Sequence, residues 1–184
     1  MRGNKMAGYK YGVGSFSHSF YFVVVKMSGC FYFISNRFYE EFPNKGLMKN
    51  KNGKPGELHN RPCFYSFEDA EHPELLWLIP ISSQVEKYKG IYFGKVKKYG
   101  YCNTICFCNV IGNETAFLIQ NMFPVTEEYI DSIYLDKNKV EVRIDQRDEK
   151  KVINFAKDVL KAHRAGKRVF FVDVEYIKKE LVKK

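Results

Sequence analysis

The sequence predicts an α+β protein: one domain of mostly antiparallel strands with helical insertions and a helical C-terminal part. Short apolar segments of strand length alternate with turns over residues 30–122, and apolar positions recur at helical spacing from residue 148. The 184 residues, 45% of them hydrophobic, are sufficient for one domain with a substantial core. We place that domain at residues 30–184 and treat residues 1–29 as an N-terminal extension of uncertain order.

The prediction is organised around the stretch 74–89, which opens, at Leu75, as a continuous apolar run typical of a strand buried on both faces. The run ends in two adjacent hydroxyl residues, Ser82 and Ser83. Ser83 and Glu86 have the spacing of a capping box, in which a serine oxygen and a glutamate carboxylate satisfy free amides at a helix start. A buried strand should therefore deliver two serines to a helix N-terminus, where an anion such as a phosphate is favoured.

The remaining elements follow from local patterns. A strand at 31–34 leads into a short helix, 36–42, which Ser35 or Asn36 caps and Pro43 ends. A loop rich in Lys, Asn and Gly, 43–60, comes next, and loops of this length are more often functional or mobile than decorative. Further strands are predicted at 61–67, 91–96, 103–111, 115–122, 139–144 and 169–174, and further helices at 126–135, 148–166 and 175–182.

The N-terminal extension does not fit a membrane span or a signal peptide. Its apolar run, 20–25, is far shorter than the ~20 residues that cross a bilayer. It also falls short of the ~7–15 residue apolar region of a signal peptide, although basic residues precede it. We expect either an extra strand or a poorly ordered segment, with Met27 as an alternative start.

The five cysteines form no recognisable framework. Their number is odd, and the spacing of Cys102, Cys106 and Cys108 lacks the C-x-x-C pairs of a zinc ribbon. In a strand, Cys106 and Cys108 would point to one face and pack as small apolar residues. We expect reduced thiols, no structural metal and a cytoplasmic location.

Positive charge is concentrated in three segments rather than spread over the chain. Residues 43–61, 86–98 and 150–168 hold seventeen of the 30 Lys and Arg residues but three of the 21 Asp and Glu residues, in a protein of net charge +9. Tyrosines lie nearby, and 16% of all residues are aromatic. Clustered positive charge of this kind indicates a polyanionic partner.

Three places along the chain offer chemistry: the Ser82 and Ser83 pair, Arg61 at the start of a strand, and the loop residues Lys54 and His59. No phosphate loop, dinucleotide fingerprint or metal-ligand spacing is present in the sequence. The three places do fit metal-free RNA cleavage, in which the substrate's own 2′-hydroxyl is the nucleophile. Hydroxyls at a helix start and an arginine fork would stabilise the transition-state phosphate, and a His or hydroxyl would move a proton.

Each candidate also has a purely structural interpretation. In that interpretation, Ser83 serves simply as a helix cap and Arg61 forms a surface ion pair. His59 is a solvated loop residue, and the basic helix presents a solvated face, as basic helices usually do. Tyrosines are often half-buried rather than stacked on bases. The candidate RNA-binding residues are Tyr39, Lys54, Lys87, Tyr88, Lys89, Lys97, Lys98, Lys150, Lys151, Lys157, Lys161 and Arg164.

Four segments, taken together and in order, resemble the toxins of type III toxin–antitoxin systems, the ToxN/AbiQ family. The sequence around Met122 is most similar to that of the CptN branch, and the resemblance spans about residues 30–184. The segments are Phe31-Tyr32-Phe33-Ile34-Ser35, Arg61-Pro62, Ile79-Pro80-Ile81-Ser82-Ser83 and Ala116-Phe117-Leu118-Ile119-Gln120-Asn121-Met122-Phe123-Pro124-Val125.

The resemblance implies a small twisted antiparallel barrel-like sheet, similar to the MazF/Kid toxins and SH3-like, with helical insertions. It implies a bacterial, cytoplasmic endoribonuclease that needs no metal or cofactor, cuts A-rich RNA and leaves a 2′,3′-cyclic phosphate and a 5′-hydroxyl. The implied partner is a small repetitive pseudoknot RNA antitoxin, which the toxin processes and which inhibits it in a closed RNA–protein assembly. Cellular or phage RNA would be the substrate, in phage defence by abortive infection.

By position, Ser82 and Ser83 match the family's hydroxyl pair, and Arg61 matches a basic residue that opens the strand. Lys87 and Lys89 match lysines that follow the pair, whereas Tyr88 stands where the family often has His. The active-site tyrosine of some members falls at Phe38, with Tyr39 beside it. Two other functions remain open: a non-catalytic RNA-binding module on a barrel fold, and a MazF-type ribonuclease with a protein antitoxin.

Overall fold

A computed structural model describes residues 29–48 and 61–184. The predicted N-terminal extension and most of the predicted loop 43–60 lie outside the described residues. The elements in chain order are β1 (Phe31–Ile34), α1 (Asn36–Glu41), β2 (Cys63–Glu68), β3 (Leu76–Ser82), α2 (Val85–Tyr99), β4 (Cys106–Val110), β5 (Asn113–Phe117), β6 (Phe123–Val125), β7 (Ile130–Ile133), α3 (Gln146–Arg164) and α4 (Val174–Val182).

Strand β3 lies at the centre of an antiparallel sheet with the order β4-β5-β3-β2-β1-β7. All seven of its residues are buried, as its continuous apolar run predicts. One edge of β3 pairs with β2, whereas the other edge pairs first with β6, along 76–78, and then with β5, at Ile81 and Ser82. The predicted central strand is therefore confirmed, and it ends where the hydroxyl pair begins.

Pro80 lies at the point where β3 changes partners. Its carbonyl accepts a hydrogen bond from the Leu118 amide, 3.0 Å away, on the edge that faces β5 and β6. Proline has no N–H to donate to a ladder, so it is tolerated in a central strand only where the pairing is interrupted. The exchange of β6 for β5 supplies that interruption and directs the last two residues of β3 toward β5.

The core combines the sheet with α1 and the two C-terminal helices. Phe38 of α1 stacks on Phe123 at 5.3 Å between ring centroids and meets Tyr129 edge-on at 5.2 Å. Helix α3 buries Val152, Ala156 and other residues at helical spacing against the sheet, and α4 packs on β6. An α+β fold with an antiparallel sheet and C-terminal helices is thus confirmed.

The strand predicted at 91–96 is wrong, because these residues form the second half of α2. Their aromatic and β-branched side chains favour a strand locally. However, Tyr88, Tyr92 and Val96 recur at i, i+4 and i+8 and pack on a second cluster that contains Ile105 and Leu118. The helix continues to Gly100, whose left-handed conformation (φ 79°) ends it.

The helix predicted at 126–135 is also wrong. Only a short 3₁₀ turn, Glu127–Tyr129, forms there, and β7 follows it. Strand β7 pairs with the outer edge of β1, with Ile133 opposite Tyr32 and Ser132 opposite Phe33. The free edge of β1 needs a hydrogen-bonding partner, and this requirement outweighs the local helical pattern.

Two of the predicted strands, 139–144 and 169–174, are wrong, because residues 139–144 and 169–173 are irregular in the structure. Residues 139–144 make only isolated bridges, one of them between Cys30 and Arg143. Residues 169–173 lead into α4 as a loop, in which the Phe171 amide donates to the Gln120 carbonyl. The strand predicted at 115–122 ends at Phe117 and gives way to a 3₁₀ turn, Ile119–Asn121. The helices predicted at 36–42, 148–166 and 175–182 are confirmed.

No helix in the described part of the chain is both long enough and apolar enough to span a bilayer. All five cysteines are buried free thiols.

Candidate active site

The pairing of β2 with β3 brings Arg61 to the serine pair. Cys63 lies opposite Pro80 in this antiparallel ladder, and the Ile81 amide donates to the Pro62 carbonyl at 3.3 Å. Continued by two residues beyond Cys63, the register places Arg61 opposite Ser82. The guanidinium Nη1 of Arg61 donates to the Ile81 carbonyl at 2.7 Å, so Arg61 is fixed beside the end of β3.

The two serines have different environments. Ser82 is buried, with 7% of its surface exposed, and its Oγ accepts a hydrogen bond from the Gln84 amide at 3.2 Å. Ser83 is exposed, and its hydroxyl makes no hydrogen bond within residues 29–48 and 61–184. The predicted capping box is therefore wrong: Ser82 holds the turn between strand and helix, and Ser83 presents its hydroxyl to solvent.

The start of α2 is open toward the serine pair. Gln84, and not Ser83, is the residue that precedes the helix, and its side chain makes no capping hydrogen bond. The first amides of a helix have no partner within the helix and carry the positive end of its dipole. Glu86 in the first turn opposes an anion here, whereas the adjacent Lys87 is exposed and favours one.

Tyr39, in α1, lies close enough to Arg61 for the guanidinium charge to act on its hydroxyl. Burial raises the pKa of its hydroxyl above the usual range; Cys63 adds to this rise, and the positive charge of Arg61 counteracts it. The hydroxyl is buried and has no hydrogen-bond partner in the described part of the chain. A cavity of about 320 Å³ between α1 and the loop after it is lined by Tyr39 and Leu47, among others. Tyr39 thus contributes a neutral hydroxyl near the guanidinium.

Phe38, the position to which the family resemblance assigns a tyrosine, is fully buried in the aromatic core. Its ring packs against Phe42, Phe123 and Tyr129, so it is not accessible to a ligand. Tyr39 is therefore the better candidate for a tyrosine near the site. Its proximity to Arg61 could not be predicted, because it depends on how α1 packs against β2.

Two of the predicted RNA-binding residues on α2 have partners within the protein. Tyr88 is 7% exposed and packs in the cluster beneath α2, so its ring offers no open face to a base. Lys89 forms ion pairs with Glu114 at 2.8 Å and Glu86 at 3.3 Å, and the hydrogen bond from Lys89 to Glu114 is the main reason that the pKa of Lys89 is raised. These contacts correct the prediction for Tyr88 and reduce the positive charge that Lys89 offers.

Lys97 and Lys98 are exposed in the last turn of α2. A helix rises 1.5 Å per residue, so they lie about 20 Å from the serine pair along the helix axis. They belong to the same face of the molecule as Lys87 but do not adjoin the serine pair and Arg61.

The predicted basic helix forms a separate exposed surface. Lys150, Lys157, Lys161 and Arg164 recur at i, i+7, i+11 and i+14 on the solvent side of α3, and Lys151 lies next to them. Arg164 lies 3.7 Å from Asp69, which follows the end of β2 opposite to Arg61. The C-terminal end of this surface is therefore roughly 25 Å from Arg61 along β2.

Lys54 and His59 lie outside the described residues. Across residues 29–48 and 61–184, no three His, Cys, Asp or Glu side chains converge as metal ligands. The cluster that the structure assembles thus consists of Ser82, Ser83, Arg61 and Tyr39 at the open start of α2. It combines a guanidinium, free backbone amides and hydroxyls, which are groups that bind a phosphate.

Solved structures share this fold. The chain is similar to AbiQ, a lactococcal anti-phage endoribonuclease of a type III toxin–antitoxin system, with a TM-score of 0.54, 16% identity and coverage of 84% of this chain and 98% of AbiQ. A second similar structure belongs to a bacterial antiviral system that a processed non-coding RNA regulates, with a TM-score of 0.50, 13% identity and coverage of 76% and 88%. No protein-family model and no curated protein matches the sequence. The resemblance to the ToxN/AbiQ family is therefore confirmed for the fold, which this chain shares with type III toxin–antitoxin endoribonucleases.

Proposed function

We propose that the protein is a metal-independent endoribonuclease toxin of a type III toxin–antitoxin system that cleaves A-rich RNA. The observation that carries the proposal is the hydrogen bond from Arg61 to the Ile81 carbonyl. It joins two segments that are separated in sequence at one point on the surface, next to an exposed hydroxyl and an uncapped helix start. The shared fold with AbiQ supports the same activity.

In the proposed reaction the ribose 2′-oxygen attacks the adjacent phosphorus. A P–O2′ bond forms as the P–O5′ bond breaks, which yields a 2′,3′-cyclic phosphate and a 5′-hydroxyl. The 2′-hydroxyl gives up its proton and the departing 5′-oxygen gains one, so the enzyme must supply an acceptor and a donor. Arg61, the Ser83 hydroxyl and the first amides of α2 stabilise the negative charge that develops on the phosphate oxygens.

The remaining candidate residues are assigned supporting roles. Ser82 holds the turn that presents Ser83, through its hydrogen bond from the Gln84 amide. His59, which precedes Arg61 by two residues, is the candidate for proton transfer, and Lys54 the candidate for an additional charge on the phosphate. Lys87, Lys97, Lys98 and the α3 surface would bind the RNA backbone away from the scissile bond.

The proposed partner is a small repetitive RNA that the toxin processes and that inhibits it, in a closed RNA–protein assembly in the bacterial cytoplasm. The similar antiviral system, which a processed non-coding RNA regulates, supports this assignment. A tandem-repeat tract just upstream of the coding region, whose transcript neutralises the toxin, is the expected genetic arrangement. A co-transcribed small protein that neutralises it instead would indicate a MazF-type system.

The decisive experiment is incubation of the purified protein with A-rich RNA in excess EDTA, followed by analysis of the fragment ends. We expect cleavage that leaves a 2′,3′-cyclic phosphate and a 5′-hydroxyl. An RNA of the same sequence with 2′-O-methyl groups should resist cleavage, because it lacks the nucleophile. Binding of the unmodified RNA without cleavage would indicate a non-catalytic RNA-binding module, and cleavage of the methylated RNA would exclude attack by the 2′-hydroxyl.

A further inference from the structure

The side of α2 that faces away from the protein is unusual in composition. Every residue on it is exposed, and Phe93 retains 63% of its surface. The face begins one residue after Gln84, at the serine pair, and runs for about 20 Å along the helix. We call this surface the outer face of α2; it includes Lys87, Gly90, Phe93, Gly94, Lys97 and Lys98.

The two glycines on this face have no structural purpose in the described chain. Gly90 and Gly94 lie one turn apart inside a helix, where glycine is the least favourable residue after proline. Apart from the adjacent residues and the backbone of α2 itself, no atom of the described residues lies within 4 Å of a Cβ added at either position, so no packing neighbour in these segments requires glycine there. Together they leave a strip of bare helix backbone that a bound molecule can approach closely.

The charge of the outer face identifies the kind of molecule. Helix α2 carries five lysines and one glutamate. Lys89 pairs with Glu114, and Lys95 donates to Thr104 and Gln120 at 2.7 and 2.6 Å, so these two are engaged with the protein. The other three lysines lie on the outer face and have no ion pair within the described segments. Glu86, which pairs with Lys89, is the one acidic residue of α2 and lies on the same face, so the face has a net positive charge. A second copy of this face would be repelled by the first, whereas a polyanion would be attracted.

Phe93 adds a contact for an unpaired base. Its ring meets Tyr92 edge-on at 5.5 Å between centroids, which supports it from the protein side and leaves the ring accessible. Exposed aromatic rings between basic residues bind single-stranded nucleic acid by stacking, while the basic residues contact the phosphates. Duplex RNA would offer its bases no access to such a ring.

We propose that the outer face of α2 is a docking strip for single-stranded RNA that continues from the cleavage site. The RNA backbone crosses the bare strip at Gly90 and Gly94, between Lys87 on one side and Lys97 and Lys98 on the other, and a base stacks on Phe93. The inference rests on the proposed function only in taking RNA as the ligand. It does not require that the protein cleave it.

The test measures binding without cleavage, by fluorescence anisotropy of a labelled A-rich 12-mer in which every nucleotide is 2′-O-methylated. Phe93→Ala in the full-length protein should weaken binding by roughly 5- to 150-fold, the loss of one stacked base. The matched control is Phe171→Ala, which removes an equally exposed ring (65%) from the loop before α4 and should bind like the wild type.

The lysines are tested through the salt dependence of the same binding. The double variant Lys97→Ala, Lys98→Ala should reduce the slope of log K against log salt by about 1.4, as expected for two lost phosphate contacts on a single strand. The control is Lys137→Ala, Lys179→Ala, which removes two exposed lysines elsewhere on the surface. It should leave the slope unchanged.

Gly94→Gln separates the proposed role from a structural one. Glutamine favours a helix more than glycine does, so the variant should melt at a higher temperature than the wild type. Its side chain should nevertheless obstruct the strip and weaken RNA binding several-fold. A change that stabilises the protein and weakens the complex is difficult to explain by damage to the fold.

The inference is overturned if the wild type does not bind the methylated RNA. It is also overturned if the Phe93, Lys97/Lys98 and Gly94 variants bind like the wild type, or if Phe93→Ala only converts a dimer to a monomer. Cleavage of unmodified RNA in EDTA, measured in parallel, tests the proposed activity separately. Binding losses without any cleavage would leave the docking strip intact and reject the endoribonuclease, and normal cleavage with unchanged binding would do the reverse.

Discussion

The polar groups at the two ends of the β2–β3 pair differ in their hydrogen-bonding partners. At one end Asp69 is completely buried and accepts hydrogen bonds from Trp77 Nε1 at 2.9 Å and Lys178 Nζ at 3.0 Å, as well as from the amides of Glu71 and His72. Each of these contacts lies within the protein. Asp69 therefore connects α4 to the sheet and stabilises the fold.

At the other end, Ser82 and the Tyr39 hydroxyl are buried, but some polar groups remain open to solvent. Ser83 is exposed, and the helix that follows begins without a side-chain cap. Exposed groups are hydrogen-bonded by water, which a ligand can displace, whereas the buried carboxylate of Asp69 is already bonded within the protein. The Asp69 end therefore maintains the fold, and the Ser83 end is available for a ligand. Changes at the two ends should therefore affect different properties.

The largest effect on activity is expected from Ser83→Ala. Removing one group that stabilises the transition-state phosphate should reduce the cleavage rate by roughly 10²- to 10³-fold. The free energy of unfolding should change by less than about 0.5 kcal/mol, because the hydroxyl is exposed. Growth inhibition and RNA cleavage measure the first effect, and thermal melting measures the second.

Ser132→Ala is the matched control, since Ser132 is an exposed serine on β7 at the far edge of the sheet. It should leave both properties unchanged. Retained toxicity of Ser83→Ala at equal expression would remove Ser83 from the site.

The largest effect on stability is expected from Asp69→Asn. The substitution leaves the Lys178 ammonium, only 17% exposed, without its buried carboxylate and should cost about 2–4 kcal/mol. The melting temperature should fall by roughly 4–16 °C. Cleavage per folded molecule should stay the same, and Glu71→Gln, which removes the exposed partner of the same lysine, should have little effect. Loss of activity in proportion to that of Ser83→Ala would contradict the division between the two ends.

The pH dependence of stability should also originate at the Asp69 end. Burial alone would raise the pKa of Asp69, but hydrogen bonds from Trp77, the Glu71 amide and Lys178 outweigh burial and lower it below the ordinary 3.8. Stability from this group is therefore fully present above pH 3.8 and is lost as the pH falls toward the lower native value. Urea unfolding between pH 2 and 6 should show this loss in the wild type and a smaller one in Asp69→Asn.

Arg61→Lys tests the hydrogen bond from Arg61 to the Ile81 carbonyl, which holds β2 and β3 together at the site. Lysine keeps the charge but lacks the planar fork of donors, so it cannot hold the Ile81 carbonyl and a phosphate in the same geometry. We expect cleavage to fall by roughly 10- to 100-fold, with a small loss of stability. Arg37→Lys, in an exposed ion-pair cluster, is the control. Wild-type cleavage by Arg61→Lys would show that only charge matters at this position.

The smallest effect is expected from Tyr39→Phe. The lost hydroxyl has no hydrogen-bond partner in the described part of the chain, so stability should change by less than about 1 kcal/mol. Cleavage should fall only a few-fold. Because burial raises the pKa of Tyr39, its ionisation should not contribute to the pH–rate profile up to pH 10. A large loss of activity, together with a shifted alkaline limb, would instead make Tyr39 the proton-transfer group.

Predictions from local sequence succeeded where a single segment contains the whole signal. The apolar run of β3 and the helical spacing in α3 identified both elements, because burial of a face imposes a pattern on consecutive residues. The prediction failed at 91–96 and 126–135, where local preference and tertiary contacts disagree. Residues 91–96 extend helix α2, because they pack on a second cluster. Within residues 126–135, β7 forms instead of a helix, because it pairs with the otherwise free edge of β1.

For the candidate site, the sequence by itself determined which chemical groups are available: two adjacent hydroxyls after a buried strand, an arginine at the start of another and segments rich in lysine. Tertiary structure decided how they are arranged. The β2–β3 register brought Arg61 to Ser82, the packing of α1 placed Tyr39 rather than Phe38 beside Arg61, and the turn after β3 exposed Ser83 instead of Ser82. The reason is physical: a pattern of neighbouring residues encodes which face is buried, whereas register and helix packing depend on contacts between segments far apart in the chain.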